Sequence, residues 1–158
     1  MEKDDVIREK VQALDGFKVI RKQNFVETYN NLNQQMHYID LSFAKVGIFH
    51  NGWVGFRTNT QMREILEGHF YEFYDDYRCP SLLTDCSKMK GSFIDNVEWL
   101  TGEFMPQMGE MGLKNHSLVL PLDSFAQLTV KDWVTRNNTV KTKAFATLSE
   151  AINWLALV

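Results

Sequence analysis

GHFYEFYDDYRCPSLLTDCSKM, residues 68–89, decides the fold. It holds a histidine, a pair of aspartates and both cysteines among tyrosines and phenylalanines. It reads either as a polar reaction centre or as the end of one helix joined to the start of one strand. The residues before it favour the second. Met62, Ile65, Leu66, Phe70, Phe73, Tyr74 and Tyr77 recur at i, i+3, i+4, i+8, i+11, i+12 and i+15. That is one continuous apolar face at 3.6 residues per turn. Thr58 and Gln61 form a capping box at its start. Pro80 pushes the residue before it out of helical geometry, so the helix is expected to end near Arg78. His69 lies on the apolar face beside Ile65 and Phe73, and reads as a packed residue at the core edge. Asp75 and Asp76 are adjacent and point about 100° apart, a poor arrangement for two carboxylates sharing a substrate. Ser81–Thr84 is then a short apolar strand ended by Asp85, with Cys79 in the turn and Cys86 at the strand end.

Working outward, residues 37–50 alternate. Tyr38, Asp40 and Ser42 share one side; Ile39, Leu41 and Phe43 share the other. With a tight turn at Ala44–Lys45 this predicts a β-hairpin. Before it, Val6, Ile7, Val11 and Leu14 make a weak helical stripe ended by Gly16, residues 17–20 and 24–29 are extended, and NNLNQQ (30–35) is a turn. Residues 1–34 are read as an N-terminal extension on a domain spanning 35–158. After Asp85, a helix begins near Ser92 with Phe93, Val97, Leu100, Phe104 and Met108 on one face, and Trp99, Gly102 and Pro106 on a minor one. Pro106 is expected to bend it or end its regular part, and Gly112 closes it. His116–Leu122 is an apolar strand, Thr129 and Asp132 cap a short helix that buries Trp133, and 140–146 is the last strand. Thr147 and Glu150 open a final helix with Leu148, Ala151, Ile152 and Leu155 inward. Strands alternating with helices after an antiparallel start predict an α/β fold with a mixed, mostly parallel sheet.

The 158 residues suit one domain. A net charge of -3, with acids and bases interspersed, gives no electrostatic reason to expect nucleic acid. Cys79 and Cys86 match neither zinc nor redox spacing. The charged start MEKDDVIREK lacks a signal-peptide core, and no apolar run reaches membrane-span length. A cytoplasmic protein with reduced thiols is expected, with no cofactor and no metal. No phosphate-cradling, dinucleotide-binding or nucleophile-elbow motif is present. The one constellation with chemistry in it is Asp85 with His50 or His116, at strand ends where open α/β sheets place ligands.

Several stretches carry a resemblance. They are Gly52-Trp53-Val54-Gly55-Phe56 before a helix with Met62, Arg63 and Leu66; Leu82-Leu83-Thr84-Asp85 with Met89 shortly after; Glu98-Trp99-Leu100, then Pro106 and Gly112-Leu113; Pro121-Leu122-Asp123-Ser124-Phe125; and Phe145, Glu150-Ala151 and Trp154-Leu155. Over residues 36–158 the chain resembles small bacterial STAS-like, SpoIIAA-like domains, also labelled STAS/SEC14. The resemblance implies a mixed sheet with helices mainly on one face, and a non-enzymatic regulatory or protein-interaction module with a protein partner or a second copy of itself. The SEC14 side of the label, with Met105, Met108 and Met111, raises the alternative of a small apolar-ligand or lipid carrier. In STAS proteins that antagonise anti-sigma factors, a serine at the start of the second helix is phosphorylated. Asn96 stands about there in this chain, so Ser87 and Ser92 become the candidate phosphorylation sites; their ordinary roles are a turn hydroxyl and a helix N-cap. The interaction surface expected is the loop 85–92 with the second helix, through Asp85, Ser87, Lys88, Ser92, Trp99 and Pro106. Tyr71, off its helix's main stripe, is expected to be covered by a loop or by the extension.

Overall fold

The computed structural model describes residues 5–10, 15–136 and 139–158. Eight strands form one sheet in sequential order: β1 (Asp5–Lys10), β2 (Phe17–Lys22), β3 (Phe25–Asn30), β4 (Gln35–Asp40), β5 (Ile48–Gly55), β6 (Ser81–Met89), β7 (Asn115–Val119) and β8 (Lys141–Phe145). β1 to β5 pair antiparallel and β5 to β8 parallel, so the α/β, mixed-sheet expectation holds. The sheet runs through the boundary placed after residue 34, because β3 pairs with β4 from Phe25↔Asp40 to Tyr29↔Gln35. The helix expected near the N-terminus is corrected over Asp5–Lys10. Val6 and Ile7 are β-branched and suit a strand, and the segment pairs antiparallel with β2. The other residues of that stripe, Val11 and Leu14, lie outside the described residues.

The helices connect the parallel strands. α1 (Asn59–Ile65), a wide π turn (Leu66–Phe70) and α2 (Tyr71–Tyr77) bridge β5 and β6. α3 (Ile94–Trp99), a second π turn (Leu100–Phe104) and α4 (Met105–Glu110) bridge β6 and β7. α5 (Ser124–Arg136) bridges β7 and β8, and α6 (Leu148–Leu157) ends the chain. Crossovers of one hand that advance one strand at a time keep their helices on one face. Met62, Ile65, Phe70, Val97, Phe104, Val130 and Trp133 accordingly share a core with Val26, Ile39, Phe49, Leu82 and Leu118 of the sheet. α6 covers the other face, where Ala151 and Leu155 pack on Leu83 and Val119.

The first helix starts as read. Thr58 Oγ1 accepts from Gln61 N–H at 3.0 Å, and Gln61 Oε1 accepts from Thr58 N–H at 2.9 Å. Thr58→Ala is expected to cost about 1 kcal/mol and Thr58→Ser much less, measured by urea unfolding; equal losses would remove the cap as the cause. The helix kinks at Gly68 (φ -95, ψ -113). A Cβ there would collide with Arg8 Nη1, whose guanidinium pairs with Glu72 at 3.3 Å and ties β1 to the helix. Arg78 ends α2 in the left-handed region at φ 45. The regular part of the next helix ends ahead of Pro106: a π turn stands there, in which Met105 N–H bonds to Leu100 O, five residues back, and Pro106 opens α4.

Four local expectations are corrected. The turn at Ala44–Lys45 is a 3-10 helix, Leu41–Val46, whose first N–H groups are met by Asp40 through Ser42 N–H at 2.9 Å. β6 does not stop at Asp85 but runs to Met89, since a register shift lets Lys88 and Met89 pair with Val54 and Gly55. The strand at 116 ends at Val119, leaving Leu122 90% exposed. The helix that buries Trp133 starts at Ser124, because Asp123 Oδ2 accepts from Ala126 N–H at 3.1 Å and caps it nearly two turns earlier than Thr129 could.

Candidate functional site

The structure separates the residues read as one interaction surface. Asp85, Ser87 and Lys88 are in β6 rather than in a loop, and line a hollow of about 40 Å³ with Tyr38 on the sheet face opposite α1–α5. Asp85 Oδ1 accepts from Ser87 N–H at 2.9 Å. Ser92 lies just before α3, with its Oγ 2.9 Å from Thr129 Oγ1 and 3.1 Å from Ile94 N–H; Phe93, not Ser92, is the capping position. Asn96 is buried and donates to Asn59 O at 2.8 Å, a tie between α1 and α3. Trp99 and half-buried Pro106 sit on the outer helix layer. Tyr71 is not covered by the N-terminal strands: it lines the same groove as Trp99, between the two helical crossovers.

Asp85 and His50 do share a sheet face, whereas His116 points to the other. The register sets this: His50 pairs with Asp40 and Leu83, and Gly52 with Tyr38 and Asp85. Gly52 makes the close approach feasible, since a Cβ there would lie 2.5 Å from Tyr38 Cζ and Oη. Tyr38 Oη is 3.3 Å from His50 Nε2, and Asp40 Oδ2 is 3.5 Å from His50 Nδ1. Burial, Asp85 and Asp40 push the Tyr38 phenol up, so it stays a neutral donor. Burial outweighs the same two carboxylates at His50 and lowers its pKa. Tyr38 and Asp40 escaped selection from sequence, although their shared side was legible from their spacing; His50 was singled out there with Asp85.

On the helix-covered face a polar chain crosses the core. His37 Nε2–H donates to Asn51 Oδ1 at 2.9 Å. Asn51 Nδ2 donates to Leu83 O and to Thr84 Oγ1, both at 3.1 Å. Thr84 Oγ1 in turn lies 2.7 Å from His116 Nε2, in hydrogen-bond contact. The Asn51 amide, held by its bond to Leu83 O, fixes one tautomer: His37 carries its proton on Nε2. A separate pair, His69 and Thr28, meets at 3.0 Å. Burial lowers His37 to about 4 and His69 and His116 to about 3, so all three are neutral at physiological pH. Asn51, Thr84 and His116 also border a cavity of about 20 Å³ among Met62, Met105 and Trp133. It has room for about one water molecule.

At the carboxyl ends of the parallel strands, five large apolar side chains are exposed: Phe56, Ile94, Leu122, Phe125 and Leu128. Phe56, and the segment of Leu122 and Phe125 through Asp123, meet the loop 90–94. Gly91 packs against the Phe56 ring and donates its N–H to Asp123 Oδ2 at 3.0 Å. Arg57, 1% exposed, holds this loop by donating to Lys90 O at 2.7 Å and Ser92 O at 3.0 Å. Burial lowers Arg57 to about 10, and it stays charged. Among the described residues, no group of three or more His, Cys, Asp or Glu side chains is arranged to hold a metal ion, and no helix is long and apolar enough to cross a membrane. Compared with protein-family models, curated proteins and solved structures, the chain matches none.

Proposed function

We propose that this protein is a non-enzymatic interaction module that docks another protein chain at the carboxyl rim of its parallel sheet. The observation that carries the reading is the exposure of Phe56, Ile94, Leu122, Phe125 and Leu128 around one braced loop. Leu122 at 90% and Phe125 at 71% exposure are far from scattered surface residues, because the loop's hydrogen bonds hold their segments side by side. Large exposed apolar side chains grouped at one end of a sheet are the feature that docking sites present. The carboxyl edge is also where open α/β sheets place their binding loops. The motif resemblance to STAS-like domains supports a regulatory role of the same kind.

A photo-crosslinking residue at position 125 tests the rim, with position 131, on the exposed side of α5, as the control. A discrete adduct from 125, absent from 131 and lost with Leu122→Ser, is the expected result. An adduct at twice the chain mass would identify the partner as a second copy. Equal labelling from both positions would retire the rim as a docking face.

The apolar-carrier reading comes second. Its support is the methionine-lined cavity, but about 20 Å³ is far below what an acyl chain needs. A lipid retained by the purified protein in native mass spectrometry would reverse that order.

A further inference from the structure

Two crossovers face each other on the outer helix layer, and the groove between them has a chemistry of its own. Arg63 and Glu67 come from α1 and its π turn; Asp95, Glu98 and Trp99 come from α3, and Glu103 from the π turn after it. These six line two adjoining hollows of about 380 and 500 Å³. Four acids against one arginine leave this groove at -3, the same as the net charge of the whole chain. The balance elsewhere is therefore zero, and the groove carries the asymmetry.

Its floor is aromatic. Trp99 is half-buried and packs on Phe104 with ring centroids 5.1 Å apart. At Gly102 a Cβ would meet no atom within 4 Å, so this wall is open to solvent. The groove already holds one cation of its own. The Arg63 guanidinium lies 4.7 Å from the centre of the Trp99 ring while its Nε donates to Glu67 Oε1 at 2.8 Å. Tryptophan is the strongest aromatic partner for a cation, and a flanking carboxylate adds a charge-assisted hydrogen bond of its own. The internal pair shows the geometry the groove accepts: a flat cation on the indole and a carboxylate at its edge. Glu98 and Glu103 line the same groove, and among the described residues no ion pair joins either to a cation.

We infer that the Trp99 groove is a recognition site for a basic segment of a protein partner, seating an arginine side chain on the indole between Glu98 and Glu103. Arg63 holds that place until the segment displaces it. The inference rests on the interaction reading for the partner being a protein, but it concerns a different surface from the rim.

The test is a titration of ¹⁵N-tryptophan-labelled protein with a hexa-arginine peptide, following the indole N–H signals. Trp53 and Trp133 are buried, and Trp154 packs on Phe145, so they serve as internal references. The Trp99 signal is expected to shift saturably, with the effect largely screened at about 0.5 M salt. The double substitution Glu98→Gln/Glu103→Gln is expected to weaken binding about tenfold. Arg63→Gln is expected to tighten it about threefold, since the internal competitor is gone. A purely structural Arg63–Trp99 pair predicts no tightening. No saturable Trp99 shift, an equal shift from hexaglutamate, or an Arg63→Gln variant that binds no better would overturn the proposal. A negative rim cross-link with a positive titration would remove the rim while leaving this site.

Discussion

Between pH 7 and pH 5 the folded state is expected to lose on the order of 5 kcal/mol, a large part of a typical domain's stability. The cause is the set of histidines buried as neutral rings. His37 titrates at about 4 and His69 and His116 at about 3 in the fold, all lowered from 6.5, with burial the largest cause of each shift. As the pH falls below 6.5, the unfolded chain takes up protons that the folded chain refuses. Stability contributed by the neutral rings is thus complete above the unfolded pKa and is lost as pH falls towards the folded values. Each ring contributes roughly 2 kcal/mol of this loss at pH 5. His50 shifts in the same direction and adds to it. Urea unfolding at half-unit pH steps is expected to show a slope of about 4 kcal/mol per pH unit near pH 5, the signature of three protons. A slope below one proton, about 1.4 kcal/mol per unit, would mean that these rings are already charged in the fold.

Asn51→Ala is expected to cost about 4 kcal/mol, the largest loss from a single side chain in the polar chain. Asn51 is the only residue of the chain that meets three partners at once: His37 Nε2–H, Leu83 O and Thr84 Oγ1. Its side chain is 2% exposed, so water cannot replace it without entering the core. Each buried group left unpaired costs roughly 1–3 kcal/mol. For a domain of this length the loss corresponds to a fall in Tm of about 10 °C. The double variant Asn51→Ala/His37→Phe removes one orphan and is expected to recover part of the loss, a non-additivity that a double-mutant cycle measures. A loss under about 1 kcal/mol for Asn51→Ala alone would show that the network is incidental to stability.

The order of the elements from residue 35 onward could be read from one chain because each element carries its own period. The stripe from Met62 to Tyr77 and the Thr58–Gln61 box define a helix whatever surrounds them, and Phe93 to Met108 do the same for the next crossover. Alternation of these with short apolar strands then implies the parallel half of the sheet. Errors arose where two local signals compete or none is present. Asp123 and Thr129 are both competent caps, and only packing chooses the first. Residues 85–89 are too polar to announce a strand, yet β5 lies beside them and supplies their hydrogen bonds. Ser87, Lys88, Trp99 and Pro106 were legible as surface candidates one by one; that they belong to separate places depends on which strand and which helix each rides.

Periodicity along the chain therefore determined which side of each helix and strand turns inward, since that choice is made by neighbours three or four residues away, or two in a strand. Pairing register decided the rest. It set His37, Asn51, Thr84 and His116 in one line across four strands, laid Tyr38 over Gly52 beside Asp85, and gathered Phe56, Ile94, Leu122 and Phe125 on one rim. Those juxtapositions come from hydrogen bonds and packing between residues tens of positions apart, and a one-residue slip in any pair of strands would turn each side chain to the opposite face.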